Sequence, residues 1–268
     1  LLTANSTANQ LRDFTRDTST GLLSVSSAPT AAPVSSLPLA VAIESGGSYG
    51  YSVNNAASTI VPWELFKDAT DLGAGTFVAT GTDSRAVATA PLADFVYVPS
   101  TGQTVVHGSS IAKSTGELTA LASTFATEAS PRELVFHPGG RFGYTANNSG
   151  SVSQFALDLN GDLTPLSPPK VDSPAMTQPV AIAAHPDGQN LYLAYAGTNS
   201  VGRYTVDLAT GLITVDPTTL PTSGIPSRVD VDASGGLLAV SIPSLNRVDL
   251  FLIALDGDAL DASRPQDA

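Results

Sequence analysis

Apolar and polar residues alternate in short runs along the chain, and the same order of runs returns at an interval of about 47 residues. One copy of the pattern begins with the segment 131–140 and the next with 179–188, in which His137 and His185 hold the same place. Further copies begin at Pro38, Ser84 and Ser227. A fixed period of this length indicates a repeat architecture.

Each copy contains four short runs with a period of two, separated by turn-forming residues. A second run such as Phe142–Ala146 follows a Pro/Gly turn, and a third such as Val152–Leu157 follows a Ser/Asn/Gly turn. An Asp-rich turn such as Asp207–Leu212 precedes the last run. This pattern predicts short antiparallel strands, and four strands per repeat of this length form a propeller blade. We therefore predict an all-β propeller with almost no helix.

The first copy starts in the middle of a blade, because Leu1–Asn5 aligns with a second strand and Leu11–Phe14 with a third. We predict one propeller domain over residues 1–268 with six four-stranded blades, and an incomplete seven-bladed propeller is the alternative. The predicted repeat units span residues 1–37, 38–83, 84–130, 131–177, 178–225 and 226–268.

The charge balance narrows the classes of partner. Twelve Lys and Arg residues against 24 Asp and Glu residues give a net charge of −12, which repels nucleic acid and anionic membrane surfaces. No apolar run approaches the roughly 20 residues of a transmembrane helix, so we expect no membrane-spanning segment. Cysteine is absent, which excludes disulfides and thiolate chemistry. Abundant Ser, Thr, Ala and Asn with little Lys favour an exported protein, periplasmic or extracellular, and leave a cytoplasmic location open.

Two of the repeated motifs resemble a known family. The segments Phe136–Tyr144 and Ala184–Tyr192 look like the repeat of the lactonase-type seven-bladed propellers. That group includes 6-phosphogluconolactonase-like proteins, the fungal carboxy-muconate lactonizing enzyme and the YVTN surface-layer repeats. The Asp207–Leu212 turn is also typical of it. The resemblance covers nearly the whole chain and is more specific for the fold than for an activity.

The resemblance implies an active site of one His, two Arg and one Glu at the mouth of the central channel. The arginine of the family's Pro-Arg-His signature is kept here as Arg132. The histidine of the preceding blade falls at Arg85, the glutamate at Asn148 and the second arginine at Ala196. An amide accepts no proton near neutral pH and an arginine is a permanent cation, so neither replaces the lost acid–base group.

From this loss we predict a non-enzymatic, exported binding or scaffold protein for a partner protein or a cell-surface polymer. The alternative is a lactone-hydrolysing or lactonizing enzyme with a rearranged site around Arg132. A third reading has Arg85 and Arg132 hold a small anion in the channel, and no cofactor is expected. Among the aromatic residues, most of which we expect in the core, Trp63 is predicted to be an exposed binding group.

Other chemistry-bearing residues are predicted to be structural. His137 and His185 are expected to hydrogen-bond within turns rather than bind metal, and His107 is expected in a loop. The segments Asp158–Asp162 and Asp256–Asp258 resemble parts of a calcium loop, but the full pattern ending in a bidentate Glu is missing. Tight turns explain both segments, so no metal site is predicted.

Overall fold

The computed structural model describes residues 2–17, 19–20, 22–25, 30–31, 37–65, 77–173, 176–254 and 260–261. Across these ranges the chain forms 24 β-strands and a single 3₁₀ turn at Pro243–Leu245. This confirms the predicted all-β class with almost no helix. None of the described segments forms a helix with the length and apolar character needed to span a membrane. The chain divides into two compact units, Leu1–Ala126 and Thr127–Ala268.

The first unit contains twelve of the described strands. They are β1 (Leu2–Asn5), β2 (Gln10–Arg16), β3 (Leu23–Val25), β4 (Thr30–Ala31), β5 (Pro38–Ile43), β6 (Tyr49–Asn54), β7 (Thr59–Glu64), β8 (Val78–Ala79), β9 (Ala88–Thr89), β10 (Phe95–Ser100), β11 (Val105–Ile111) and β12 (Leu118–Ala126).

The second unit contains the other twelve described strands. They are β13 (Pro131–Phe136), β14 (Phe142–Asn147), β15 (Ser151–Leu157), β16 (Leu163–Asp172), β17 (Pro179–Ala184), β18 (Asn190–Tyr195), β19 (Ser200–Val206), β20 (Ile213–Pro221), β21 (Arg228–Val231), β22 (Leu237–Ile242), β23 (Arg247–Ile253) and β24 (Leu260–Asp261).

Five of the sheets within the described ranges follow one path, in which four consecutive strands pair antiparallel with their neighbours in the chain. The sheet of β1–β4 differs, because β2 pairs with both β3 and β4. Phe14 lies opposite Val25 and Leu11 opposite Thr30, so β3 and β4 are two halves of one interrupted strand. This sheet therefore provides three strand positions, whereas the other five are the four-stranded blades of a propeller.

Burial follows the position of a strand in its sheet. Every residue of the second strands β14 and β18 is buried, whereas most of the outer strand β16 is exposed. In the second unit, side chains such as Tyr144 and Leu193 form one core between neighbouring sheets, and Ala181 and Val240 belong to another. A middle strand is therefore buried on both faces, because a sheet packs on each side of it.

The repeated histidine turns connect neighbouring sheets of the second unit. His185 Nε2 lies 2.9 Å from the carbonyl oxygen of Gly235, which belongs to the corresponding turn of the next sheet and is equivalent to Gly188. His137 accepts a 2.8 Å hydrogen bond from the Gly139 N–H through Nδ1. The φ of Gly188 is +78°, and a Cβ there would lie 2.3 Å from His137 Nε2. Glycine is needed at this turn both for its backbone and for the close approach of the histidine.

Candidate functional site

Three inner strands begin with the same local backbone. A residue with positive φ precedes a proline, and the residue after that proline is bulged out of the strand pairing. The positive-φ residues are Leu37, Ser130 and Gln178, with φ of 46°, 60° and 57°. The bulged residues are Leu39, Arg132 and Val180. Bulges re-aim side chains and are common beside active sites, and among these three bulged residues Arg132 is the charged one.

Arg132 is a half-buried cation at the bulge of β13. Its Nε atom is buried and has no hydrogen-bond partner in the part of the chain that the structure describes. A buried donor without a partner costs about 1–3 kcal/mol, and more when the group is charged. A carboxylate or an oxyanion at this position would supply the missing acceptor, and it would match the guanidinium in charge and geometry.

The positions that correspond to the family's glutamate and second arginine lie at the same end of consecutive blades. The Asn148 N–H donates a 2.9 Å hydrogen bond to the Ser130 carbonyl, which places Asn148 beside the start of β13. The Ala196 N–H makes the equivalent 3.0 Å bond to the Gln178 carbonyl at the start of β17. Asn148 therefore lies in the same blade as Arg132, close to the start of β13, and Ala196 takes the equivalent place in the next blade.

Arg85 lies in the first unit, just before β9. Its Nε atom is 2.7 Å from the Asp83 carboxylate, and 47% of its side chain is exposed. The charge of Arg85 is therefore already opposed by a neighbouring carboxylate on the surface. Its role as an anion-binding residue stays a prediction.

Glu133, which follows Arg132 in β13, is a functional candidate that the sequence analysis missed. Its Oε2 atom accepts a 2.9 Å hydrogen bond from the Ile182 N–H of β17. Its Oε1 atom contacts Nη1 of Arg228, which lies on β21. Only 19% of the Glu133 side chain is exposed, against 47% for Arg228.

The surroundings of Glu133 act on its pKa in opposite directions. Burial raises the pKa, while the charge of Arg228 and the hydrogen bonds from Ile182 and Arg228 lower it. The carboxylate of Asp230 adds a smaller raising contribution. Burial is the largest of these effects, so the net shift is upward, toward neutral pH.

A signal for Glu133 was present in the sequence. The third position of the family's Pro-Arg-His signature, directly after the retained Arg132, is Glu133 here. A glutamate thus replaces the family's histidine beside the retained Arg132, and both residue types can exchange a proton. This position is not one of the four that the resemblance implies for the active site.

The structure corrects the prediction for Trp63. Its side chain is 1% exposed, and its Nε1 atom donates a 2.8 Å hydrogen bond to Ser52 Oγ. It packs in a cluster with Leu11 and Val61. The prediction of an exposed binding group is wrong, because β7 is a middle strand of its sheet and is covered by packing.

The remaining candidates take structural positions. Asp158 Oδ1 accepts 2.8 Å hydrogen bonds from the N–H groups of Asn160 and Asp162, which closes a tight turn. His107 lies in β11 and not in the loop expected from the sequence, because it pairs with Val98 of β10, and its Nε2 atom is 3.0 Å from Gln103 Oε1. The segment 256–258 lies outside the described residues. Among the residues that are described, no three His, Asp or Glu side chains cluster closely enough to hold a metal ion.

Comparison with known proteins gives a match to a family model. The family described as lactonases with a seven-bladed β-propeller matches residues 84–263, about two thirds of the chain. Seven blades agree with the alternative of an incomplete seven-bladed propeller. A curated relative from Formosa agariphila named 6-phosphogluconolactonase is 33% identical over 129 residues, which is 45% of this chain. That match spans 35% of the relative's own length.

Two of the solved structures with the same fold are described as lactonases. A protein from Bacteroides uniformis, described as a candidate 6-phosphogluconolactonase, gives a TM-score of 0.81 at 20% identity, over 97% of this chain and 79% of that one. The periplasmic gluconolactonase of Pseudomonas aeruginosa gives 0.77 at 18% identity, over 96% and 76%. At such identities the likeness shows the fold.

These comparisons overturn the predicted non-enzymatic scaffold. The matching family is one of lactonases, and the curated relative carries the name of a lactone-hydrolysing enzyme. The findings support the alternative, an enzyme of the lactonase type. The prediction failed because it treated the loss of acid–base residues at fixed positions as the loss of the chemistry itself.

Proposed function

Because the chain belongs to the lactonase family of seven-bladed β-propellers, we propose that it opens the ester ring of a sugar-acid lactone, or closes it in reverse, at the site around Arg132. The observation that carries this proposal is the buried Nε of Arg132, which has no acceptor among the described residues. Family membership supports lactone opening as the reaction, and the bulge of β13 supports Arg132 as the position of the site.

The chemistry of lactone opening fits a fixed cation. Negative charge develops on the carbonyl oxygen when water attacks, and the product is a carboxylate. A preorganised donor aimed at that oxygen stabilises the transition state, and removal of one such donor typically costs about 10²–10³ in rate. In this proposal Arg132 provides the donor, and the small anion expected from the sequence is the hydroxy-acid product.

The experiment follows acid release in a pH-stat with the purified chain and three lactones: glucono-δ-lactone, its 6-phosphate and a muconolactone. We expect glucono-δ-lactone or its 6-phosphate to open at a rate proportional to protein concentration and above the buffer rate, whereas opening of the muconolactone alone would contradict a sugar-acid substrate. The Arg132→Ala variant, with an unchanged melting temperature, should lose that rate. Buffer rates for all three lactones with wild-type protein would reject the proposal.

A further inference from the structure

The side chain of Glu133 joins three inner strands of the second unit. β13 packs beside β17, and β17 packs beside β21. From β13, the carboxylate reaches the Ile182 N–H on β17 and the Arg228 guanidinium on β21. Glu133 is therefore held by contacts from two other blades rather than by its own strand.

The contact with Ile182 uses a group that the sheet leaves free. β17 is an edge strand that pairs only with β18 in the described part of its sheet, so alternate N–H groups have no strand partner. The Ile182 N–H is one of these, and the carboxylate caps it. An ionised carboxylate has about four lone-pair sites, so two contacts leave sites free for a water molecule.

We propose that Glu133 is the proton acceptor for the water that opens the lactone, and that Arg228 positions its carboxylate. This inference rests on the proposed lactonase function and adds the acid–base group that Asn148 cannot provide. Arg132, the preceding residue of the same strand, supplies the cation, so proton acceptor and oxyanion donor come from one bulge.

The step balances without another reactant. The oxygen of water forms a bond to the carbonyl carbon, and its proton moves to the Glu133 carboxylate. The oxyanion that results is stabilised by Arg132. When it collapses, the bond to the ring oxygen breaks and Glu133 returns the proton to that oxygen, which leaves as a hydroxyl group. The new carboxyl group then ionises to solvent.

The charges around Glu133 suit this role. Burial raises its pKa, and a base is most efficient when its pKa approaches the operating pH. The charged groups that act on its pKa are Arg228 and Asp230 on β21. Arg132 is the preceding residue of β13, and β17 carries no titratable side chain. Tyr144, the titratable residue of β14, donates its hydroxyl to a backbone carbonyl elsewhere.

The first test is the Glu133→Gln variant on whichever lactone the wild type opens. Glutamine can still accept the Ile182 hydrogen bond but accepts no proton. We expect kcat to fall by about 10²–10⁴ with KM within threefold. Glu128→Gln is the matched control, since that carboxylate pairs with Lys170 at 3.6 Å, and it should keep the wild-type rate.

The second test is the pH profile of kcat/KM, which a purely structural role would not move. The wild type should lose activity on the acidic side as Glu133 becomes protonated. Loss of the Arg228 charge raises the pKa of Glu133 further, so Arg228→Gln should shift this acidic limb to higher pH and also lower the plateau rate above it, because the carboxylate is no longer positioned.

The outcomes separate the two proposals. A wild-type chain that opens none of the lactones rejects the lactonase function itself. An active wild type with Glu133→Gln within threefold of its rate rejects only the role of Glu133. Circular dichroism shows whether Glu133→Gln is folded. If it is not, the pH profile of Arg228→Gln decides: an acidic limb at the wild-type pH rejects the role of Glu133 as the proton acceptor.

Discussion

Two inner strands of the second unit, β13 and β17, begin with the same backbone geometry but with different side chains. Each starts with a residue of positive φ, a proline and a bulge. The bulge of β13 carries Arg132 followed by Glu133, and that of β17 carries Val180 followed by Ala181. The repeat therefore fixes the backbone, and the two strand starts differ in two adjacent side chains, which are charged in β13 and apolar in β17.

The energetic character of the two strands differs in the same way. Ala181 is fully buried in the core between two sheets. Arg132, in contrast, keeps a buried donor without a partner among the described residues, and Glu133 is an ionisable group with little exposure. A buried donor without a partner lowers stability, and in natural proteins such groups concentrate at functional sites.

The largest expected effect is the difference in catalysis between variants at the bulges of β13 and β17. Arg132→Ala should lower kcat/KM for lactone opening by about 10²–10³, because it removes the oxyanion donor. Val180→Ala truncates the equivalent residue of β17 and should leave kcat/KM within threefold. Initial rates in a pH-stat measure both, and equal losses in the two variants would show that the bulge acts through packing.

The next effect is on stability at the position after the bulge. Ala181→Glu puts a carboxylate into a fully buried position of an apolar core, and it should lower the free energy of unfolding by about 3 kcal/mol or more. Urea denaturation followed by circular dichroism measures this. A loss below about 1 kcal/mol would mean that β17 tolerates a glutamate at the position equivalent to Glu133, and that the surroundings of the two strands do not differ as described.

A smaller effect concerns pH and the turn after β13. Burial lowers the pKa of His137 below its usual 6.5, so the unfolded chain binds the proton more readily than the folded chain. The stability penalty is absent well above pH 6.5 and grows as the pH falls through that value. His137→Gln should therefore lose less stability than the wild type between pH 7.5 and about 5. Identical slopes of melting temperature against pH would contradict this.

The smallest effect tests the shared backbone. Ser130 and Gln178 both adopt positive φ, which costs most non-glycine residues about 1–2 kcal/mol. Replacement by glycine removes this strain, but glycine loses more conformational entropy on folding, so the two effects partly cancel. Ser130→Gly and Gln178→Gly should each change stability by less than about 1 kcal/mol, and by the same amount. A clear difference between the two, measured by thermal unfolding, would break the equivalence of the two starts.

The sequence predicts the fold well because its signals are local. Period-two runs, prolines at strand starts and Asp turns act within a few residues, and Asp207 Oδ1 indeed accepts the N–H groups of Ala209 and Thr210. Trp63 shows the limit of such signals, since alternation does not reveal which strands are covered by a neighbouring sheet. The inner, middle or outer place of a strand decides this.

The site is harder to predict because it depends on contacts between blades. Glu133 and Arg228 are far apart in the chain, and their contact requires β13, β17 and β21 to pack side by side. Asn148 stands at the family's glutamate position and carries no acid–base group, which led to the prediction of a lost activity. An ionisable carboxylate is nevertheless present at Glu133, the residue after Arg132.

The most direct measurement compares the wild-type chain with the double variant R132V/E133A, which gives β13 the bulge residues of β17. Both proteins are followed in a pH-stat with the lactone that the wild type opens, after circular dichroism has shown that both are folded at the assay temperature. We predict that the double variant folds normally and opens the lactone only at the buffer rate. A double variant as active as the wild type would contradict the assignment of lactone opening to this pair.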